Sequence, residues 1–395
     1  MEYFYRSQNY IIIGCLISIF FFVKTNQILN KEFALTVLLF LLVETLQYTY
    51  FGGFNFRTFL GTYTRLFLAY SVIQIVKHSF FKIYTSIIYF FATISLIFYG
   101  LTFIPGISDF YINTLGNLIP NLFSDNGSFY AGSKNIIIFN FHEYALKNFR
   151  NSGPFWEPGA LAVFLLLALV FNQTNHVKFL TKKNIIFIIA TLTTFSTTGY
   201  ICLFLFLIYV NFNSIRTNVL FVLILIISIV GIFLLYEKIP FLKDKIEKDI
   251  EYTNETTTSR FGSALADYNQ FKESPLFGYG RAGAKNNFVS QNLIDVDNHR
   301  NNGVFNLLAT YGVVIFFYYF FKIIKSFKLI GVHYNLPSYY YIFSFLILLL
   351  LGFSQGLFMR PFFYTFLFTP MIFLNKQKIS KSNQVSVQNN SLQKY

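Results

Sequence analysis

Thr257-Thr258-Ser259-Arg260-Phe261-Gly262, Pro275-Leu276-Phe277-Gly278-Tyr279-Gly280-Arg281 and Asp297-Asn298-His299-Arg300-Asn301-Asn302-Gly303 punctuate residues 237–302, a long polar interruption between apolar runs. Several of those runs approach or exceed the roughly 18 residues that cross a bilayer as a helix. Of the 395 residues, 54% are hydrophobic and 12% charged. Soluble domains carry about 25% charged residues. The pattern predicts an all-α polytopic integral membrane protein, and the polar stretch is then a large extracytoplasmic loop in its C-terminal half.

About eleven spans (10–12) are expected. They fall near 10–23, 33–50, 58–76, 82–104, 157–172, 184–196, 198–212, 217–236, 303–321, 338–353 and 360–374. Residues 1–375 then form one transmembrane helical domain holding outer loops 105–156 and 237–302. Residues 376–395, rich in Gln, Asn and Ser, are expected to be a disordered cytoplasmic tail. No cleavable signal is expected, because the run from Ile11 to Val23 lacks a small-residue cleavage site. No internal repeat is evident.

The formal net charge is +14. In a soluble protein this would suggest nucleic acid; here lysines crowd short connectors, where they orient a membrane protein. Lys77 and Lys82, Lys178 to Lys183, Arg216, Lys322 to Lys328 and Lys376 to Lys381 all fall on one side of an eleven-span chain. That side is expected to be cytoplasmic, with 322–337 as one of its connectors. Loops 105–156 and 237–302 then face outward, as does the N-terminus. Cys15 and Cys202 lie in apolar runs and read as buried hydrophobes. Within loop 237–302, residues 239–250 read as an interfacial helix. Residues 259–274 read as another, with Phe261, Leu265, Tyr268 and Phe271 in a stripe, Ser259 as cap and Pro275 after its end.

Candidate chemistry gathers at these loops. Arg260, in the first turn of a helix, joins a planar fork of donors to an electropositive helix start and suits a phosphate. A solvated loop arginine is the alternative. Gly278 and Gly280 suit a tight turn, or a close backbone approach with Tyr279 as a stacking face for a sugar. Arg281 is a second phosphate contact or a surface charge. His299 lies just before a span and titrates near neutrality, so it can take a proton from a hydroxyl or serve a structural hydrogen bond. Asn298, Asn301 and Asn302 are sugar ligands or helix caps. The run Arg150 to Gly159 closes the other outer loop and holds the single tryptophan, Trp156. Its Glu157, at a helix start, is placed to pair with an arginine or touch an acceptor. Glu44 and Arg65 are charges inside spans; they pair with each other, or Arg65 helps hold a diphosphate. The sequence shows no Walker-type loop, paired metal-binding aspartates, His/Cys cluster or serine elbow.

These motifs resemble the bacterial O-antigen polymerase and O-antigen ligase superfamily, which includes exopolysaccharide polymerases. The resemblance lies in the hydropathy plan, in Ser259-Arg260 with Pro275 to Gly280, in His299-Arg300-Asn301-Asn302, and in Tyr311-Gly312. Arg150 to Gly159 resembles the Arg…Gly-Phe-x-Glu-Pro segment of the polymerase branch. Ser196-Thr197-Thr198-Gly199 resembles a Ser-Arg-x-Gly turn, but Thr197 stands where the arginine is expected. Arg65, Arg150 or Arg281 would have to supply that contact. Arg300 likewise stands where an asparagine often follows the histidine.

The resemblance implies a glycosyltransferase-C-like helical fold, no metal and no other cofactor. It implies transfer of a glycan from undecaprenyl diphosphate to a hydroxyl of an acceptor, at the outer face of a bacterial inner membrane. Arg260 would steady the diphosphate and His299 would act on the acceptor hydroxyl. The implied partners are an undecaprenyl-diphosphate-linked oligosaccharide and membrane lipid, with a chain-length regulator protein as a further candidate and no nucleic acid. The missing arginine at Thr197 favours a polysaccharide-repeat polymerase. The alternatives are a ligase acting on lipid A-core or protein, and a glycolipid flippase or secondary transporter. A transporter should show broken spans in matched halves, whereas the polar residues here gather in two loops.

Overall fold

The structure, a computed structural model, describes residues 8–52, 54–118, 133–175, 181–212, 260–281 and 302–373. Its first four helices are α1 (Gln8–Lys24), α2 (Lys31–Phe51), α3 (Phe56–Val76) and α4 (Phe80–Leu101). Two short helices follow, α5 (Ile107–Asn113) and α6 (Glu143–Lys147). Then come α7 (Pro158–Asn172), α8 (Lys182–Thr193), α9 (Thr197–Val210) and α10 (Arg260–Glu273). The last three are α11 (Gly303–His333), α12 (Tyr340–Ser354) and α13 (Pro361–Phe373). A three-residue hairpin, Ser133–Asn135 against Asn140–His142, is the one departure from helix pairing among the described residues.

Local chemistry fixes the helix starts. Asn30, Asn55, Thr181, Ser196 and Asn302 each accept a backbone N–H from the first turn of α2, α3, α8, α9 and α11. Such caps are worth about 1 kcal/mol each. Among the described residues, Lys31–Phe51, Phe56–Leu101, Pro158–Asn175 and Gly303–His333 are long and apolar enough to cross a membrane. Four shorter apolar helices accompany them. The chain is a multi-pass membrane protein. The expected spans at 58–76 and 82–104 are separate helices, divided at Lys77 by a left-handed residue and a short 3₁₀ turn. The expected span at 217–236, the helix at 239–250 and the tail lie outside the described residues.

Every residue of α7 is buried. A helix that is apolar all round belongs inside a bundle, and α4, α8, α9 and α12 pack on it. By contrast, α1 and α2 carry rows of exposed large hydrophobics, such as Leu16, Phe20, Leu38 and Leu42, as a lipid-facing helix does.

Two differences from the sequence reading have clear causes. The segment after residue 321 is not a connector: α11 runs on through Lys322, Lys325 and Lys328 to His333. Lys322 is buried and pairs with Glu32 at the head of α2, which lets a charge sit inside the bundle. The stripe on α10 is also turned outward. Phe261, Leu265 and Tyr268 are exposed, while Gly262, Ser263, Ala264, Asp267 and Gln270 are buried. Small residues let α10 approach α11 closely, while on the outer face Phe261 meets Phe353 and Tyr268 meets Phe305.

The bundle has two distinct ends. At one, Lys322 meets Glu32, the His78 and His333 rings stack at 4.8 Å, and Tyr334 donates to the His78 carbonyl. At the other lie the starts of α3, α7, α9, α10, α11 and α13.

Candidate functional site

The site builds up from the turn before α9. Ser196 caps that helix, its hydroxyl accepting the Gly199 N–H at 3.2 Å. Gly199 presses against α7: a Cβ there would lie 3.0 Å from Ala162 Cβ. Phe195, just upstream, takes a left-handed φ of 47°, which costs a non-glycine residue energy. Arg150 pins this turn, donating from Nε to the Thr194 carbonyl and from Nη2 to the Phe195 carbonyl, each at 3.2 Å. From the other side Arg260, the first residue of α10, donates from Nη1 to Thr198 Oγ1 at 3.2 Å. Two guanidinium groups thus engage one turn, around the position where Thr197 replaces the expected arginine. The helix start beneath Arg260 adds oriented N–H groups, so the arrangement can receive an anion.

A second cluster is built by the loop after α10. At Gly312 the long helix α11 breaks, with φ 64° and ψ −173°. The loop enters this break as a short extra strand would. Val313 N–H donates to Pro275 O at 2.9 Å, Val314 N–H to Leu276 O at 3.4 Å, and Tyr279 N–H to Ala309 O at 3.0 Å. Gln47 of α2 donates to the carbonyls of Phe277 and Thr310 and ties loop to helix. There is no room for side chains at the seam. A Cβ on Gly278 would lie 2.6 Å from Ala309 O, and one on Gly312 would lie 2.3 Å from Leu276 O.

The docked loop delivers Arg281, whose Nη1 donates to Thr62 Oγ1 on α3 at 3.3 Å. Arg65, one turn along α3 and 8% exposed, donates to its own Gly61 carbonyl and has Arg281 and Arg360 as like-charged neighbours. Glu44 of α2 accepts from Tyr311 at 3.3 Å and shares Arg281 as its cationic neighbour. Glu44 and Arg65 therefore form no direct ion pair; both belong to a cluster centred on Arg281. Tyr279 is buried, with Phe51 over its ring at 4.6 Å and its hydroxyl donating to Glu273 at 2.5 Å. Burial, with the bond to Glu273, pushes that phenol up to about 12, so it remains a donor. Its ring serves the loop, and Phe51 occupies part of the surface a sugar would need.

The third group surrounds Gln355, buried between α12 and α13. Its side-chain amide nitrogen would lie 2.8 Å from a Cβ on Gly159, beside Glu157 at the start of α7, and its backbone carbonyl 2.4 Å from a Cβ on Gly303. Asn302 accepts the Phe305 N–H at 3.0 Å as the cap of α11, and its Nδ2 is buried without a partner. Arg360 lies 3.9 Å over the Trp156 ring. Glu157, Trp156, Asn302, Gln355 and Arg360 thus meet around the starts of α7, α11 and α13. Gln355 and Arg360 were not singled out in the sequence. The signal for both was a polar residue at the short break between the apolar runs 338–353 and 360–374.

Arg150, Glu157, Arg260, Tyr279, Arg281 and Asn302 stand at the end of the bundle away from the Glu32–Lys322 pair, with Arg65 about midway along α3. Asn298, His299 and Asn301 lie outside the described residues. No group of three or more His, Cys, Asp or Glu positioned for a metal ion occurs among the described residues. No curated protein matches the chain. Residues 184–320 match the O-antigen ligase family, Wzy_C. That span holds the Ser196 turn, Arg260, the Pro275–Arg281 loop and the Gly312 break, and the match supports the resemblance to the O-antigen polymerase and ligase superfamily.

Proposed function

We propose that the protein is a polysaccharide-repeat polymerase. It transfers a glycan from undecaprenyl diphosphate to a hydroxyl of a second lipid-linked repeat. The observation that carries this reading is the pair of guanidinium groups, Arg150 and Arg260, on one turn at the start of α9. The acceptor hydroxyl oxygen bonds to the anomeric carbon of the donor sugar. The bond from that carbon to the phosphate oxygen breaks, and undecaprenyl diphosphate leaves with its electron pair. Arg260 holds the diphosphate, because a fixed fork of donors stabilises charge as it develops on the leaving group. His299 takes the hydroxyl proton, a role worth about 10²- to 10⁴-fold for a positioned base. Asn298, Asn301 and Asn302, with Glu157, bind the acceptor sugar. Arg65 and Arg281 form a second basic cluster.

The lysine-bearing end of the bundle faces the cytoplasm and the site end faces outward from a bacterial inner membrane, in keeping with the positive-inside rule. A chain-length regulator is a candidate partner. The ligase reading is favoured by the family matched over residues 184–320, and it differs only in acceptor. Arg260→Ala should abolish the surface-glycan ladder in a strain lacking the gene while protein level stays normal. Arg260→Lys should rescue poorly, because a point charge lacks the planar fork. A full-length ladder from the alanine variant removes Arg260 from the site.

A further inference from the structure

We infer that the groove between α1 and α3 is a second polyprenyl-diphosphate site, which seats the acceptor lipid. The groove encloses about 380 Å³, within the range of roughly 300–1,000 Å³ typical of ligand sites. Ile11 and Ile12 of α1 form one wall. Arg57, Leu60, Thr64 and Arg65 form the other, at spacings that share one face of α3. Arg57 stands in the first turn of α3, and Arg65 lies about 12 Å further along the helix.

The lining joins four apolar side chains, Ile11, Ile12, Phe56 and Leu60, to two guanidinium groups, Arg57 and Arg65, which is the chemistry of a lipid phosphate. A sugar alone has no use for the isoleucines, and a free phosphate has none either. The volume cannot hold a whole polyprenyl chain, but the groove has an exit. Ile12, Leu16 and Phe20 continue from it along α1 as one exposed row at four-residue spacing. A lipid tail can follow this row into the bilayer.

Charge supplies the second argument. Arg65 is 8% exposed and lies beside Arg281 and Arg360. Of these, Arg65 lines the groove, together with Arg57; like charges held together in apolar surroundings repel, and an anion beside Arg65 offsets that repulsion. Arg65 also lies about one turn from Thr62, which receives Arg281, so the groove adjoins the part of α3 on which the Pro275–Arg281 loop docks. This assignment rests on the polymerase reading. A polymerase must hold two lipid-linked substrates at once. The structure offers two arginine clusters: Arg150 with Arg260 at the start of α9, and Arg65 of α3 with Arg281.

The test uses the purified full-length protein in detergent and undecaprenyl diphosphate without sugar, counted by native mass spectrometry. Two equivalents should bind. Leu60→Trp, which fills the groove from an exposed position, and Arg57→Glu should each weaken one equivalent by ~10-fold or more, the effect of about one charge-assisted hydrogen bond. Arg260→Ala should weaken the other. Undecaprenol and inorganic pyrophosphate should each fail to occupy the groove, since each offers half of the chemistry. A single equivalent overturns the proposal. So do two equivalents untouched by both groove variants, or displacement by an equal concentration of phosphatidylglycerol. Failure of the polymerase reading has a separate signature. The unmodified protein would then make no polymer from lipid-linked repeats, which removes the acceptor role even where two lipids bind.

Discussion

Gly312→Ala is the sharpest perturbation of the seam that delivers Arg281. The residue has φ 64° and ψ −173°, a region essentially reserved for glycine and costing other residues about 1–3 kcal/mol. The new Cβ would also lie 2.3 Å from Leu276 O, so the loop must back away. That movement breaks the bonds from Val313 to Pro275 and from Val314 to Leu276, at 2.9 and 3.4 Å, worth about 1 kcal/mol each. The sum is about 3–5 kcal/mol against the docked loop. Gly100→Ala is the control, because nothing lies within 4 Å of its Cβ. The assay is trypsin cleavage after Arg281 in purified protein, run beside the surface-glycan ladder. Gly312→Ala should be cut much faster at Arg281 and lose polymer while still reaching the membrane; Gly100→Ala should match the unmodified protein. Unmodified cleavage and a full ladder from Gly312→Ala would refute the docking argument.

Glu32→Ala should lower thermal stability more than the double change with Lys322→Ala, because the single change strands the buried Lys322 ammonium inside the bundle. Equal loss from the single and double variants would show that the pair acts only as two separate side chains. His299→Ala should leave trace polymer while single lipid-linked repeats accumulate, and the unmodified enzyme should stay active in a chelator. Near-normal turnover by His299→Ala at several pH values would make that histidine structural. Chelator inactivation reversed by a divalent ion would point to a metal-dependent transferase.

The fold class was legible because lipid imposes a one-dimensional code: long apolar runs and polar breaks survive any tertiary arrangement. That code misses what depends on neighbours. Lys322 looked like a connector charge because its partner, Glu32, is far away in sequence. The aromatic stripe of α10 located the helix but not the face that packs most closely, since in a membrane small residues let helices approach. Arg260, Arg281 and Arg150 were legible as cations beside glycine or proline turns. Their grouping was not, because Arg150 reaches Thr194 and Arg281 reaches Thr62 only through the folded bundle. Gln47, Gln355 and Arg360 are isolated polar residues in apolar surroundings. Such residues carry no spacing signal, and only contacts with Phe277, the Gly159–Gly303 region and Trp156 give them a place.

Reconstitution of the purified protein in liposomes with undecaprenyl-diphosphate-linked repeat units, and no other acceptor, tests the central claim most directly. Products are resolved by size and by release of undecaprenyl diphosphate. The account predicts a ladder of lengthening glycans, with one undecaprenyl diphosphate released per bond formed, and neither product from Arg260→Ala. Absence of a ladder here, with transfer appearing only when lipid A-core or a protein acceptor is added, would contradict it and make the protein a ligase.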